Sequence, residues 1–582
     1  MSPHKASAAI NANEREYTLD IGPVNGSASA NYVYAAFFNP SGSGKTVAIK
    51  RLAVRSNTAS STATTYVNLS TRRISTSSGG TQISATDFIQ KNASSSASVV
   101  EVRYAGPTVT LSGTTDSRIM GQPLSGAVGA YYSQRDITFG SLDEKIILQP
   151  GEGIAVYQEA AGTIATSVRV LVEWEETTNA PPAENEFLFA FPRVEVAATA
   201  GYTYNSFFNP SSSGKSAIIK RIWFGTETCD AAAVYTNNII LQRTSSATGG
   251  TLIATSSIPK KNTSGADTVM EFRRTGVTVS TTTAGGVDAR IGRVTPCGTT
   301  GQANGWRTLD FHENDEKLIL KAGEGVALIS EAPGDIDQFV RMIIEWEEVA
   351  TADTPTSADE YVFASDRVEA AAAANTTHFS FFNPSGSGKT MVVKKLGIRV
   401  NADTTGLYVS YSFRRTSAAS GGTLVATSSI PKKNTSSATS SMEVRWCGRT
   451  CASAVTATYL GTTDSNLLTV TSPGAVGQTI GQRELSLGNN EKIILQPGEG
   501  IALYNGALAD IDDYVSVNIE WDEESVTPSS QGEYLIDIGS INGSTATSYN
   551  YATFLNPTGS GKVAVIRRIS LRIDSVAAAV YI

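Results

Sequence analysis

FFNPSGSGKT begins at Phe37, FFNPSSSGKS at Phe207, FFNPSGSGKT again at Phe381 and FLNPTGSGKV at Phe554. Their prolines are Pro40, Pro210, Pro384 and Pro557, spaced 170, 174 and 173 residues apart. A second string keeps the same beat: EKIILQPGEGIAVY from Glu144, EKLILKAGEGVALI from Glu316 and EKIILQPGEGIALY from Glu491. A third closes each unit, as VEWEE ending at Glu176, IEWEE ending at Glu348 and IEWDEE ending at Glu524. Between them lie SGGTQISATDFIQKN, TGGTLIATSSIPKKN and SGGTLVATSSIPKKN.

The chain therefore divides into an N-terminal arm (1–16), three complete repeats (17–178, 185–350 and 359–525) and a partial fourth (532–582). Solenoid units run ~20–50 residues, so this period is too long for one. Each repeat is large enough to own a core. The linkers TTNAPPAEN, ATADTPTSAD and SVTPSSQG are short, polar and proline-bearing. Such segments act as semi-stiff spacers, which predicts an extended rod of like domains. The fourth repeat predicts a chain that continues or, failing that, a fold completed by a neighbour's strands. The N-terminal arm is too polar to be an efficient completing strand.

β-Formers bounded by turn residues dominate each repeat, as in Thr46-Val47-Ala48-Ile49 and Lys145-Ile146-Ile147-Leu148. Val168-Arg169-Val170-Leu171-Val172 and Thr65-Tyr66-Val67-Asn68-Leu69 alternate polar with apolar. QPGEG between two apolar runs reads as a hairpin loop. No stretch keeps a helical apolar period. About eight or nine antiparallel strands per repeat predict an all-β tandem array of jelly-roll-like β-sandwiches.

A basic pair follows the first turn in every copy: Lys50-Arg51, Lys220-Arg221, Lys394-Lys395 and Arg567-Arg568. Two adjacent charges break strict alternation, and a β-bulge would return both to solvent. The pairs read as solubilising edge charges, or as partners of the acidic strands around Trp174, Trp346 and Trp521. The tryptophans themselves read as core. Tyr104, Phe272 and Trp446 read as packed aromatics at related places.

The sequence excludes several chemistries. GSGKT lacks the glycine a phosphate loop needs, since Asn39, Asn209, Asn383 and Asn556 stand at that position. Strand-like sequence follows each lysine, so no helix N-terminus is there for phosphate. His4, His312 and His378 have no counterparts across the repeats, which leaves no catalytic triad. Glu152, Glu324 and Glu499 read as surface turn residues, and Lys260-Lys261 and Lys432-Lys433, replaced by Gln90-Lys91 in the first repeat, as solvated loops, with contact to anionic glycan or nucleic acid as the alternative. Cys229 and Cys297 stand alone; Cys447 and Cys451 read as two unpaired thiols, with a local disulfide as the alternative. Metal ligation needs about four ligands, and none are spaced for it. We expect no catalytic, cofactor or metal residues.

At 582 residues and net charge −8, the chain lacks the basic excess of a nucleic-acid binder. No apolar run reaches the ~18 residues of a membrane span, and the start lacks a secretory apolar core. Nucleic acid and membrane are thus not expected partners.

The combination of FFNPSGSGKT with its basic pair, TGGT, EKIILQPGEGIAL and xEWEE resembles repeats of structural proteins of tailed bacteriophages. The resemblance spans nearly the whole chain. It implies a non-enzymatic virion part (capsid decoration, head fibre or tail appendage), homo-oligomeric, meeting other virion proteins and assembled in the host cytoplasm. It transfers no catalytic residue. The alternative is an extracellular filament or surface adhesin of a prokaryote, with glycan as its ligand.

Overall fold

The computed structural model describes residues 15–525 except 59–64, 92–96, 115, 127–130, 140–144, 160–165, 179–184, 198, 229–238, 282–289, 295–304, 312–316, 332–337, 355–358, 370–372, 403–409, 461–465, 472–480, 488–491 and 507–512. The expectations for the N-terminal arm, the fourth repeat with Asn556 and Arg567-Arg568, His4, His312, Cys229 and Cys297 lie outside the described residues.

Strand alternation sets the first repeat. Val168, Val170, Val172 and Trp174 are buried along one face of a strand whose Arg169 is exposed. The strands are β1 (Arg15–Asn25), β2 (Val33–Asn39), β3 (Thr46–Thr58), β4 (Thr65–Ile83), β5 (Ile89–Gln90), β6 (Glu101–Leu111), β7 (Met120–Gly126), β8 (Tyr131–Thr138), β9 (Ile146–Leu148), β10 (Glu152–Gln158) and β11 (Thr166–Thr177). One sheet runs β5-β1-β11-β3-β8, with β9 also on β3; the other holds β10, β2, β6, β4 and β7. The sheets are antiparallel and enclose a common core, a β-sandwich. The second and third repeats build the same pair of sheets. Each repeat has more strands than the expected eight or nine, because pieces such as β5 and β9 are too short to show an alternation.

The recurring tryptophans centre these cores. Tyr17 stacks on Trp174 with ring centroids 5.4 Å apart, Phe187 on Trp346 at 5.0 Å and Tyr361 on Trp521 at 5.4 Å. Phe272 is not the counterpart of Tyr104 and Trp446. It lies opposite Phe207, as Val102 lies opposite Phe37 and Val444 opposite Phe381, so Tyr104 and Trp446 correspond to Arg274. Phe272 is buried, and Tyr104 and Trp446 pack partly buried against their cores.

Two further expectations are corrected. QPGEG is not a hairpin loop: β9 pairs with β3 in one sheet and β10 with β2 and β4 in the other. It is a tight turn, closed by Glu152 N donating to Gln149 O at 3.0 Å, that carries the chain across the sandwich. Gly151 sits there at φ +89°, a conformation only glycine adopts readily. Cys447 and Cys451 are not free thiols but a disulfide with Cα atoms 4.5 Å apart. Gly448 and Cys451, both at positive φ, turn the loop back on itself and bring the two sulfurs together.

The described chain forms two units, the first holding repeats one and two with Lys433–Ser437, the second the remainder of repeat three. Within the first unit the apolar core of repeat one takes in Leu188, Ala190, Trp223 and Ile343 of repeat two.

Candidate functional site: a polar joint between repeats

The two signature turns of a repeat lock together. Asn39 Nδ2 donates to Lys45 O at 2.8 Å, closing its own turn, and to Leu148 O at 3.0 Å, gripping the strand before QPGEG. Gly151 N donates back to Asn39 O at 2.7 Å. Asn209 and Asn383 repeat both side-chain bonds, to Lys215 and Leu320 and to Lys389 and Leu495. The residue that breaks the phosphate-loop pattern is therefore the one that braces this end of the sandwich. A strand, not a helix, follows Lys45, as it follows Lys389 in the third repeat.

The basic pairs do sit at a bulge. Arg51 faces Glu173 while Ile49 faces Trp174, so Lys50 is the extra residue; Lys220 and Lys394 are extra in the same way. They are not edge charges, however. β3 lies between β11 and β8, and the pairs meet the acidic strand within each repeat. Lys50 lies 2.6 Å from Glu16, and Arg51 contacts Asp136 and Glu173 at 2.5 and 3.3 Å. Lys220 contacts Glu186 and Arg221 lies 3.5 Å from Glu345; Lys394 lies 2.6 Å from Asp522 and Lys395 2.9 Å from Glu484. Burial pushes the Glu16 and Glu173 carboxyls up, but the hydrogen bonds and charges of Lys50, Lys91 and Arg51 outweigh it and hold both below the usual range.

The PKKN segment is not a solvated loop. Lys261 is buried, its ammonium 2.9 Å from Glu186, bonded to Glu345 and 5.5 Å from the Phe139 ring of repeat one. Its backbone is gripped by Arg73 of repeat one, which donates to Lys260 O at 2.8 Å, to Lys261 O at 2.6 Å and to Ile147 O at 3.0 Å. Ile147 N donates to Lys261 O at 2.8 Å, so the joint extends the backbone bonding from one repeat to the next. Glu152 is correspondingly more than a surface turn residue: it caps Gln149 N at 2.9 Å, lies 3.5 Å from Arg73 and accepts the Thr263 hydroxyl. Burial lowers the Arg73 guanidinium from its ordinary value, and Glu152 partly offsets this. Further bonds cross the joint from Arg221 to Thr138 O (3.1 Å), Arg341 to Asn68 (2.6 Å) and Ala190 N to Arg118 O (2.9 Å).

The same set recurs inside the first unit. Arg243 donates to Ile319 O at 3.0 Å and Lys433 O at 2.6 Å; Ile319 N donates to Lys433 O at 2.9 Å; Glu324, 3.3 Å from Arg243, accepts the Thr435 hydroxyl. Nothing in the sequence pattern marks Arg73 and Arg243 apart from other strand arginines; only their recurrence in each complete repeat could have drawn attention to them.

Chemically the joint binds backbone carbonyls. His378 lies apart from it, buried against Tyr411, with burial lowering its value to about 4. Among the described residues no three His, Cys, Asp or Glu side chains gather as a metal site, and no helix is long and apolar enough to cross a membrane.

No family model matches the chain, and no curated protein matches it. Among solved structures it is similar to a chain described under the triple jelly roll fold and turret assembly in an archaeal virus. That likeness has 9% identity and a TM-score of 0.14, over 88% of this chain and 91% of that one. A likeness of this size bears on neither the fold nor the role.

Proposed function

We propose that this chain is a non-enzymatic structural protein of a phage virion, a capsid decoration, head fibre or tail appendage. It acts as a homo-oligomer that also meets other virion proteins and is assembled in the host cytoplasm. One observation carries the reading: the polar residues that recur from repeat to repeat hold backbone. Asn39, Arg73, Glu152 and their counterparts brace turns and join neighbours, and among the described residues no acid–base or nucleophile set recurs with them. A repeated fold whose repeated side chains are all spent on geometry suits a building part. The sequence resemblance to tailed-phage structural repeats gives it its place in a particle.

Mass spectrometry of density-gradient-purified phage particles tests this. The chain should be present at a fixed ratio to the major capsid protein. Its absence from particles, or its recovery in host surface fibres, would contradict the proposal.

A further inference from the structure

The joint has two halves, a face and a segment, and the described residues hold one further copy of each that is more exposed than in the two joints above. The face on repeat three is made of Arg415, Ile494 and Glu499, which stand where Arg73, Ile147 and Glu152 stand in repeat one. Arg415 donates to Ile494 O at 3.0 Å and lies 3.7 Å from Glu499, and Glu499 caps Gln496 N at 2.9 Å. The face is built as in the engaged joints, yet it is more exposed. The Arg415 side chain is 37% exposed, against 8% for Arg73 and 4% for Arg243. Ile494 is half-buried where Ile147 and Ile319 are buried.

The segment on repeat one is Ile89-Gln90-Lys91. Its backbone is set as in repeat two: Lys91 N donates to Glu16 O and Lys261 N to Glu186 O, both at 2.9 Å. Gln90 pairs with Tyr17 as Lys260 bridges Phe187. Lys91 meets Glu173 at 2.6 Å as Lys261 meets Glu345. Here too the exposure is greater. The Lys91 side chain is 39% exposed, against 2% for Lys261. Ile89 is 64% exposed, the most exposed large apolar side chain among the described residues, where Pro259 is buried.

We propose that copies of this chain associate head to tail. The Arg415–Ile494–Glu499 face of one copy receives the Ile89-Gln90-Lys91 segment of a second. Arg415 then donates to the carbonyls of Gln90 and Lys91, Ile494 N donates to Lys91 O, and Ile89 is covered. The occupant is a second copy because the contact continues the joint that already links repeats one and two. Face and segment differ, so the interface is heterologous and propagates into a filament or closes as a ring. The inference goes beyond the virion role and does not depend on it.

Sedimentation velocity of the full chain over a wide concentration range tests it. The weight-average sedimentation coefficient should rise with concentration. Arg415→Glu, which spoils the face, and Ile89→Asp, which spoils the segment, should each weaken association at least tenfold. Ile89 is exposed and Arg415 partly so, and unchanged thermal melts would show the fold intact. Mixed together, the two variants hold one good face and one good segment, so they should form a one-to-one dimer and nothing longer. Arg445→Glu, a charge reversal at a partly buried position away from the joint, should leave association unchanged. A chain that stays monomeric, or association indifferent to both substitutions because another surface or the fourth repeat carries it, would overturn the proposal.

Discussion

Asn39 bonds a carbonyl six residues on and another 109 residues on, and the difference shows what a sequence can reveal. The near bond belongs to a turn legible from Asn-Pro-Ser-Gly. The far one depends on which strand the fold returns to that spot, which no local pattern encodes. His378 gives a residue-scale test. It occupies the position of Tyr204 in repeat two and is buried with its value lowered to about 4 from an ordinary 6.5, chiefly by burial. The unfolded chain binds the proton first. The stabilisation is therefore complete above pH 6.5 and is lost progressively as pH falls toward 4. The loss approaches about 3 kcal/mol at the acid end. His378→Tyr should flatten this part of the stability profile, read by urea unfolding at stepped pH. An unchanged acid slope would show that the histidine is not buried neutral.

Strand pairing explains why some readings of the motifs held and others did not. The bulge was legible because two adjacent charges cannot both leave a regular strand on one face. Their destination was not, because an interior strand and an edge strand carry the same local pattern, and only sheet order separates them. QPGEG likewise carries the residues of a turn whether it joins two strands of one sheet or crosses between two. With Lys394 and Asp522 both nearly buried, removing one partner leaves the other desolvated and unpaired. Lys394→Met should cost the third repeat about 3–5 kcal/mol, seen as a lowered thermal midpoint. A change within ~0.5 kcal/mol, the range of surface substitutions, would mean that the pair is solvated.

At the scale of the molecule, the β-sandwich class was plain from the recurring strings. The joint was not. PKKN and PGEG each look like ordinary surface sequence, and Arg73 looks like any strand arginine. They become a site only when one repeat's turn meets the next repeat's loop. Charge-assisted bonds to carbonyls contribute ~1.5–3 kcal/mol each, so Arg73 is the side chain on which the joint between repeats one and two most depends. The direct test is hydrogen exchange at the Ile147 amide, whose acceptor is Lys261 O of repeat two. In the full chain it should exchange slowly, and Arg73→Leu should speed it at least tenfold while the amides of β3 and β11 keep their protection. Exchange of Ile147 at the rate of an unstructured amide in the unsubstituted chain, or protection indifferent to Arg73, would contradict the account.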